Sequence, residues 1–230
     1  MEAFGYSMTG TKHSVNQDSF YIDEARGIFI VADGMGGHAA GDVASSSAIN
    51  AISSNIGEIN VSSIKNALDI ANKEVFEKSK TSPALEGMGT TIAMCCLNGN
   101  YATIANIGDS RVHIIKNNEI SFVTRDHSFV QQMIDDGQLE ASEAKKHAMK
   151  NIITRALGVA ETVTPDFDGI TVDVGDAIMI CSDGVSNMLD DEVIVHTVLQ
   201  SSAEDAAKTL CKSALDAGGK DDLTAIVIKL

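Results

Sequence analysis

The chain of 230 residues is long enough to bury one sizeable hydrophobic core, and its apolar content of 44 % is typical of a soluble globular protein. Lys and Arg number 17 against 32 Asp and Glu, which gives a formal net charge of −15. This excess of negative charge argues against nucleic acid or an anionic membrane surface as a partner, because their phosphates would be repelled. The surplus carboxylates either keep the surface soluble or converge in part on divalent metal ions, and composition leaves both possibilities open.

The cysteines and the first residues indicate the cellular compartment. The four cysteines have no CxxC spacing, and three of them lie within apolar runs such as IAMCCL, which indicates reduced core residues. The opening stretch MEAFGYSMTG has no basic region followed by an apolar one, and no segment approaches the roughly 20 apolar residues of a membrane span. No linker or low-complexity tract is evident. We therefore expect one cytoplasmic domain over residues 1–230, with no membrane segment.

The hydrophobic pattern alternates between strand-like and helix-like stretches along the chain. β-branched, apolar runs predict strands, and apolar residues at helical spacing predict helices between blocks of strands. Asn98-Gly99 and Asn117-Asn118 each separate two strand runs and predict tight hairpins, which join antiparallel strands. This order favours antiparallel sheets with helices on their outer faces over a doubly wound α/β fold. The predicted strands are 19–23, 28–32, 90–97, 101–106, 111–116, 120–124, 177–181 and 223–228, and the predicted helices are 39–55, 62–79, 129–136 and 203–217.

Several aspartates stand where an apolar run meets a turn. Asp33 ends FIVAD and Asp183 ends IMICSD, Asp221 and Asp222 precede the run LTAIVI, and Asp109 lies in the turn NIGDSR. A carboxylate at a strand end is held by the sheet while it projects into a cleft, and hard divalent cations prefer such oxygen ligands. The competing interpretation is that Asp-Gly pairs are ordinary turn formers. Three of these places, at Asp33, at Asp183 and at Asp221-Asp222, adjoin strongly apolar runs, and this recurrence favours a shared metal site.

The histidines and the glycine-rich turn narrow the chemistry further. His38 follows the turn DGMGG, where it acts either as a proton donor or as a hydrogen-bonding residue at the start of a helix. The other histidines lack ligand spacing such as HExxH, which argues against a zinc hydrolase. No GxxxxGK[ST] motif is present, so the glycine-rich turn is not predicted to be a P-loop.

Eight short motifs follow one another along the chain: NQDSF, VADGMGGH, GMGTTIA, NIGDSRVH, TRDHS, NIITRALG, CSDG and GGKDDLTAIV. Their order over residues 16–227 resembles that of the type-2C metal-dependent Ser/Thr protein phosphatases, and the chain is similar to a bacterial minimal catalytic domain of this family. The resemblance implies an α+β fold, a four-layer α-β-β-α sandwich in which helix pairs flank two antiparallel sheets. It also implies a centre of two Mn²⁺ or Mg²⁺ ions at one edge of the sandwich.

The resemblance further implies which residues hold the cations. By similarity, Asp33 bridges the two ions, the carbonyl of Gly34 ligates the second ion, and Asp183 and Asp221 complete the first. Asp109, in the motif GDSR, is implied as a ligand of a weaker third cation. A glycine-rich turn after Asp33 fits a backbone that must reach an ion.

The implied reaction is hydrolysis of phosphoserine and phosphothreonine by direct attack of a hydroxide that bridges the cations, without a phosphoenzyme. Cations are needed because a phosphomonoester dianion resists an anionic nucleophile. By resemblance to the eukaryotic branch of the family, the acid would be a histidine at the position of Met35, so His38 is the nearest candidate in this chain. The predicted catalytic residues are therefore Asp33, His38 and Asp183.

The sequence departs from the family pattern beside the phosphate site. An arginine that grips the substrate phosphate usually stands five residues before the aspartate of N-x-D, where this chain has His13. Lys12 beside it offers a point charge, so we expect His13 and Lys12 to bind phosphate more weakly than an arginine. Gln17 and Asn187 replace acidic residues of the family, which predicts weak binding of the third cation.

The resemblance implies phosphoproteins as partners, including a cognate Ser/Thr kinase and its substrates, and we expect a monomer. The alternative is a catalytically weak or inactive module that binds phosphoproteins and regulates them. Asp33, Asp183 and Asp221 are all present, and loss of catalysis would be expected to affect them first. The enzyme is therefore the favoured interpretation.

Overall fold

The computed structural model describes residues 1–36, 40–144 and 147–230. Within these residues the chain forms two antiparallel sheets that stack face to face, with helices on the outer faces. The strands are β1 (Glu2–Met8), β2 (Asp18–Asp23), β3 (Ile28–Met35), β4 (Gly89–Thr90), β5 (Ile92–Asn98), β6 (Tyr101–Ile107), β7 (Arg111–Lys116), β8 (Glu119–Val123), β9 (Asp166–Thr171), β10 (Ala177–Cys181) and β11 (Leu223–Lys229). The helices are α1 (Ala40–Asn55), α2 (Val61–Ser79), α3 (Phe129–Asp135), α4 (Ala141–Ala144), α5 (Asp183–Ser186), α6 (Asp191–Gln200) and α7 (Ala203–Asp216), with a 3₁₀ turn at Pro83–Leu85.

The strand order joins distant parts of the chain. One sheet has the order β1-β11-β10-β7-β8, and the other has the order β2-β3-β5-β6-β9 with β4 paired to β3. The predicted hairpin turns lie between β5 and β6 and between β7 and β8. Asn117 and Asn118 have φ values of 51° and 65°, which is the left-handed conformation that a tight hairpin of this kind requires. The antiparallel sandwich is confirmed.

Three layers of apolar side chains hold the sandwich together. Between the sheets lie residues such as Phe29, Ile104 and Ile226, which alternate along their strands with residues that face the helices. The helices α1 and α2 cover the sheet that contains β3, and α6 and α7 cover the sheet that contains β10. The four-layer α-β-β-α arrangement is therefore confirmed. All four cysteines are free thiols in this core.

The sequence predictions contain no counterpart for the strands β1 and β9 or for the helices α4, α5 and α6. The strands β1 and β9 form sheet edges, and their side chains are mostly half-buried or exposed, so they lack a continuous apolar run. In α6, which is rich in β-branched residues, only Ile194 and Val198 are fully buried.

None of the helices in the described ranges is long and apolar enough to cross a membrane.

His113 provides a test of how the sheet buries a titratable group. It lies in β7 opposite Met179 and Val123 and is 2 % exposed. Burial, together with the charge of Arg111, lowers the pKa of His113 to about 3. The unfolded chain binds this proton nearer the ordinary pKa of 6.5, so between these values the unfolded state binds more protons than the folded state. The free energy of unfolding therefore decreases as the pH falls below about 6.5, because the unfolded chain takes up the His113 proton and the folded chain does not.

We expect His113→Gln to remove this part of the acid sensitivity. The difference in unfolding free energy between the two proteins should change by up to about 1.4 kcal/mol per pH unit for one proton. Urea unfolding between about pH 7.5 and 4.5, in metal-free buffer, measures it. The exposed His196, changed to Gln, is the matched control. Parallel stability curves for wild type and His113→Gln would contradict the assignment.

Candidate metal centre

Carboxylates from separate elements meet in one cavity of about 240 Å³ at an edge of the sandwich. Asp33 lies near the end of β3, Asp183 begins α5 one residue after the end of β10, and Asp221 lies two residues before β11. Asp109 joins them from the turn between β6 and β7, and Gly34 lines the same cavity. The structure thus brings together the five residues that the sequence predicts as cation ligands.

Backbone hydrogen bonds fix the position of Asp33. Its N–H donates to Thr91 Oγ1 at 2.9 Å. Its carbonyl oxygen accepts from Thr90 Oγ1 at 2.8 Å and from the Thr91 N–H at 2.9 Å. Because both the N–H and the carbonyl oxygen of Asp33 are held, its backbone is fixed at the edge of the cavity.

Gly34 is required where the backbone of β3 passes close to two other segments. A Cβ at this position would lie 2.0 Å from the carbonyl oxygen of Gly41 and 2.6 Å from that of Gln17. The Gly34 N–H donates to the Gln17 oxygen at 3.1 Å. The absence of a side chain therefore lets the Asp33-Gly34 backbone line the cavity directly.

The carboxylates at this edge repel one another. Burial, followed by the charges of neighbouring aspartates, raises the pKa of Asp33 well above its ordinary value, and the same causes act on Asp109. Burial and the charge of Asp221 raise the pKa of Asp183 to about 6. Converging oxygen ligands with excess negative charge are the donor set that Mg²⁺ and Mn²⁺ prefer. The cavity therefore fits divalent cations.

Asp18 belongs to the same cluster, although the sequence reasoning did not assign it to the site. It pairs with Asp33 across β2 and β3, and its Oδ2 accepts from Ser182 Oγ at 2.8 Å and Thr224 Oγ1 at 2.7 Å. Its Oδ1 is buried without a hydrogen-bond partner in the described parts of the chain. Burial raises the pKa of Asp18 to about 7. The motif NQDSF contains Asp18 and was the sequence signal that could have assigned it to the site. The unpartnered Oδ1 fits a site for a cation or its water.

His13 lies at the rim of the cavity, held by a carboxylate. Its Nδ1 lies 3.1 Å from Asp222 Oδ2 and 3.5 Å from Asp221 Oδ1. Asp222 is itself buried and accepts from the Gly10 N–H at 3.0 Å and the Gln17 N–H at 2.8 Å. The loop after β1 is therefore tied to the start of β11, with His13 between them.

Lys12 lines an adjoining cavity of about 410 Å³ that shares Asp183 and Asp221 with the carboxylate cavity. Lys150 and Lys220 line it as well. The Lys12 N–H donates to the Lys220 carbonyl oxygen at 2.9 Å, so these two lysines are neighbours. The predicted residue His38 lies outside the described residues.

Comparison with known proteins identifies the family. The family model for Protein phosphatase 2C matches residues 8–225. Protein phosphatase PhpP of Streptococcus pneumoniae is 34 % identical over 232 aligned residues, which cover 96 % of this chain and 94 % of PhpP.

Solved structures agree with the sequence match. The crystal structure of the Mycobacterium tuberculosis serine/threonine phosphatase PstP/Ppp has a TM-score of 0.93 and 33 % identity, covering 100 % of this chain and 98 % of that one. The catalytic domain of PstP in complex with two manganese ions has a TM-score of 0.89 and 32 % identity, covering 98 % and 96 %. The chain therefore belongs to the protein phosphatase 2C family of metal-dependent serine/threonine protein phosphatases.

Proposed function

We propose that this chain removes phosphate from phosphoserine and phosphothreonine side chains of proteins, using two Mn²⁺ or Mg²⁺ ions. The observation that carries the proposal is the convergence of Asp33, Asp183 and Asp221, from three separate parts of the chain, on one cavity. Proteins that do not bind cations rarely gather carboxylates in this way, because their mutual repulsion and desolvation oppose folding.

We assign the cation ligands as follows. Asp33 and the Gly34 carbonyl, with Asp183 and Asp221, hold two cations, and Asp109 holds a further, weaker one. When bound, the cations neutralise the phosphoryl oxygens and lower the pKa of water. Support comes from the shared cavity and from the raised pKa values of Asp33 and Asp109, which a nearby cation would relieve.

The remaining residues of the site have positioning and proton roles in this proposal. Asp18 Oδ1 is buried without a partner in the described residues and is the proposed acceptor for a buried water beside Asp33, since its other oxygen is occupied by Ser182 and Thr224. His38 is the proposed donor of a proton to the departing serine or threonine oxygen, and its position after the DGMGG turn supports this role. Thr91 holds the Asp33 backbone.

His13 and Lys12 are the proposed contacts of the substrate phosphate. His13 lines the cavity with Asp33 and Asp183, and Lys12 lines the adjoining cavity with two further lysines. In a chain with a net charge of −15, this local group of lysines is the surface to which a phosphoprotein is attracted. We propose phosphoproteins as partners, including a Ser/Thr kinase, and a cytoplasmic monomer as the working form.

Asp33→Asn tests the cation assignment with two readouts. The variant should lose at least about 1,000-fold in Mn²⁺-dependent hydrolysis of a phosphothreonine peptide, because the cations supply several kcal/mol at about 1.4 kcal/mol per factor of ten. It should also unfold at a higher temperature than wild type in EDTA, since one repelling charge is removed, and gain less from added Mn²⁺.

The exposed Asp216, changed to Asn, is the matched control for a lost negative charge. Hydrolysis by Asp33→Asn at the wild-type rate would overturn the ligand assignment. A folded wild-type protein that binds phosphopeptide but stays inactive with Mn²⁺ and Mg²⁺ would favour the phosphoprotein-binding module instead.

His13→Arg tests the phosphate contact. The guanidinium can grip phosphate with two hydrogen bonds, so we expect the KM for p-nitrophenyl phosphate to fall by about threefold to tenfold, or about 1 kcal/mol. Lys12→Gln should raise this KM, and the exposed Lys212→Gln should not. An unchanged or higher KM in His13→Arg would count against His13 as a phosphate ligand.

A further inference from the structure

His127 is a buried side chain that the proposed reaction does not use. It follows β8 in the motif TRDHS and is 3 % exposed. Its neighbours are the turn that carries Asp109, the strand β9 and the segment 153–155. The sequence pattern assigned it no role, because its spacing from other histidines matches no metal site.

His127 holds the backbone of Gly108 through both its N–H and its carbonyl oxygen. The His127 N–H donates to the Gly108 carbonyl oxygen at 2.8 Å, and the Gly108 N–H donates to His127 Nδ1 at 3.0 Å. Gly108 has a φ of 101°, and a Cβ there would lie 2.6 Å from Thr91 Cγ2. The next residue is Asp109, so the backbone conformation of Gly108 sets the position at which the Asp109 side chain starts.

The contacts of the ring specify its tautomer. Since the Gly108 amide can only donate, Nδ1 accepts, and the proton of the neutral ring lies on Nε2. Nε2–H then donates to Asp166 Oδ2 at 3.0 Å. Arg155 Nη1 also lies 3.0 Å from Nε2, but it donates to Asp166 Oδ1 at 2.6 Å and to the Thr164 carbonyl oxygen at 2.9 Å, so it does not require Nε2 as an acceptor. Burial lowers the pKa of His127, which favours the neutral ring.

The backbone of His127 also holds one wall of the carboxylate cavity. The Thr154 N–H donates to the His127 carbonyl oxygen at 2.7 Å, and Ser128 pairs with Ile153. Ile153 and Asn151 line the cavity that contains Asp33 and Asp109. One residue therefore contacts both the turn of Asp109 and the segment that faces it.

We propose that His127 is a positioning residue, whose Nδ1 accepts from the Gly108 N–H and so keeps the turn of Asp109 in a fixed relation to the cavity wall formed by Asn151 and Ile153. The proposal rests on the proposed function for its catalytic consequence. Its structural content, acceptance of the Gly108 amide by Nδ1, stands independently of that function.

Two substitutions separate this role from simple packing. In His127→Asn the side-chain Oδ1 can take the place of Nδ1 and accept from Gly108, whereas in His127→Gln the terminal amide reaches the place of Nε2 and leaves Gly108 unpaired. Glutamine is nearer to histidine in size, so a packing role predicts that Gln is tolerated better than Asn. The positioning role predicts the reverse order.

We expect His127→Asn to keep kcat for p-nitrophenyl phosphate within about threefold of wild type, and His127→Gln to lose at least about tenfold. The Mn²⁺ concentration for half-maximal rate should rise in His127→Gln and not in His127→Asn. The buried His113, changed to Asn and to Gln, is the matched control, and its variants should keep the wild-type kcat per folded molecule. Equal losses at His127, or a greater loss in the Asn variant, would overturn the proposal.

Amide hydrogen exchange supplies a readout without activity or metal. In EDTA, the Gly108 amide should be protected in wild type and His127→Asn and exchange at least about tenfold faster in His127→Gln. Should the variants fail to fold, ¹⁵N NMR of the wild-type His127 ring decides the question, because a protonated Nδ1 contradicts the proposal. If the wild-type protein is inactive but its Gly108 amide shows the expected exchange pattern, the proposed function is overturned and the positioning role of His127 stands.

Discussion

The mutual repulsion of the aspartates at one edge of the sandwich is the constraint on which the site depends. Asp18, Asp33, Asp109 and Asp183 all have raised pKa values, and burial is the largest cause for each. Gathering them opposes folding unless cations are present or protons are taken up. The large apolar layers between and outside the sheets supply the stabilisation that lets the fold tolerate this arrangement.

The two sheets bring these carboxylates to one edge, each from a different strand end or turn. Asp33 and Asp18 face each other across one strand pair, while Asp183 and Asp221 lie beside the neighbouring strands β10 and β11. Hydroxyl and backbone donors then orient the oxygens, as Ser182 and Thr224 do for Asp18. Rigid strands therefore place the carboxylates more accurately than a flexible loop would.

Much of the fold and part of the site follow from local sequence patterns. The central strands, the hairpins at Asn98 and Asn117, and the aspartates at strand ends are local signals, so they could be predicted. The edge strands β1 and β9 could not, because half-exposed strands lack an apolar run. The role of Asp18 depends on hydroxyls 164 and 206 residues away, and that of His127 on a turn 19 residues away, contacts that exist only in the folded chain.

The pairing of the first strand with the last has a consequence for when the protein becomes active. Glu2 pairs with Lys229, and Asp221 and Asp222 lie directly before the last strand, where Asp222 holds the loop of Gly10 and Gln17. During synthesis, the sheet lacks β11 until residues 223–229 have left the ribosome. Until then the cavity lacks Asp221, and Asp222 cannot hold the loop after β1, so the carboxylates of the cavity come together only when β1 and β11 pair.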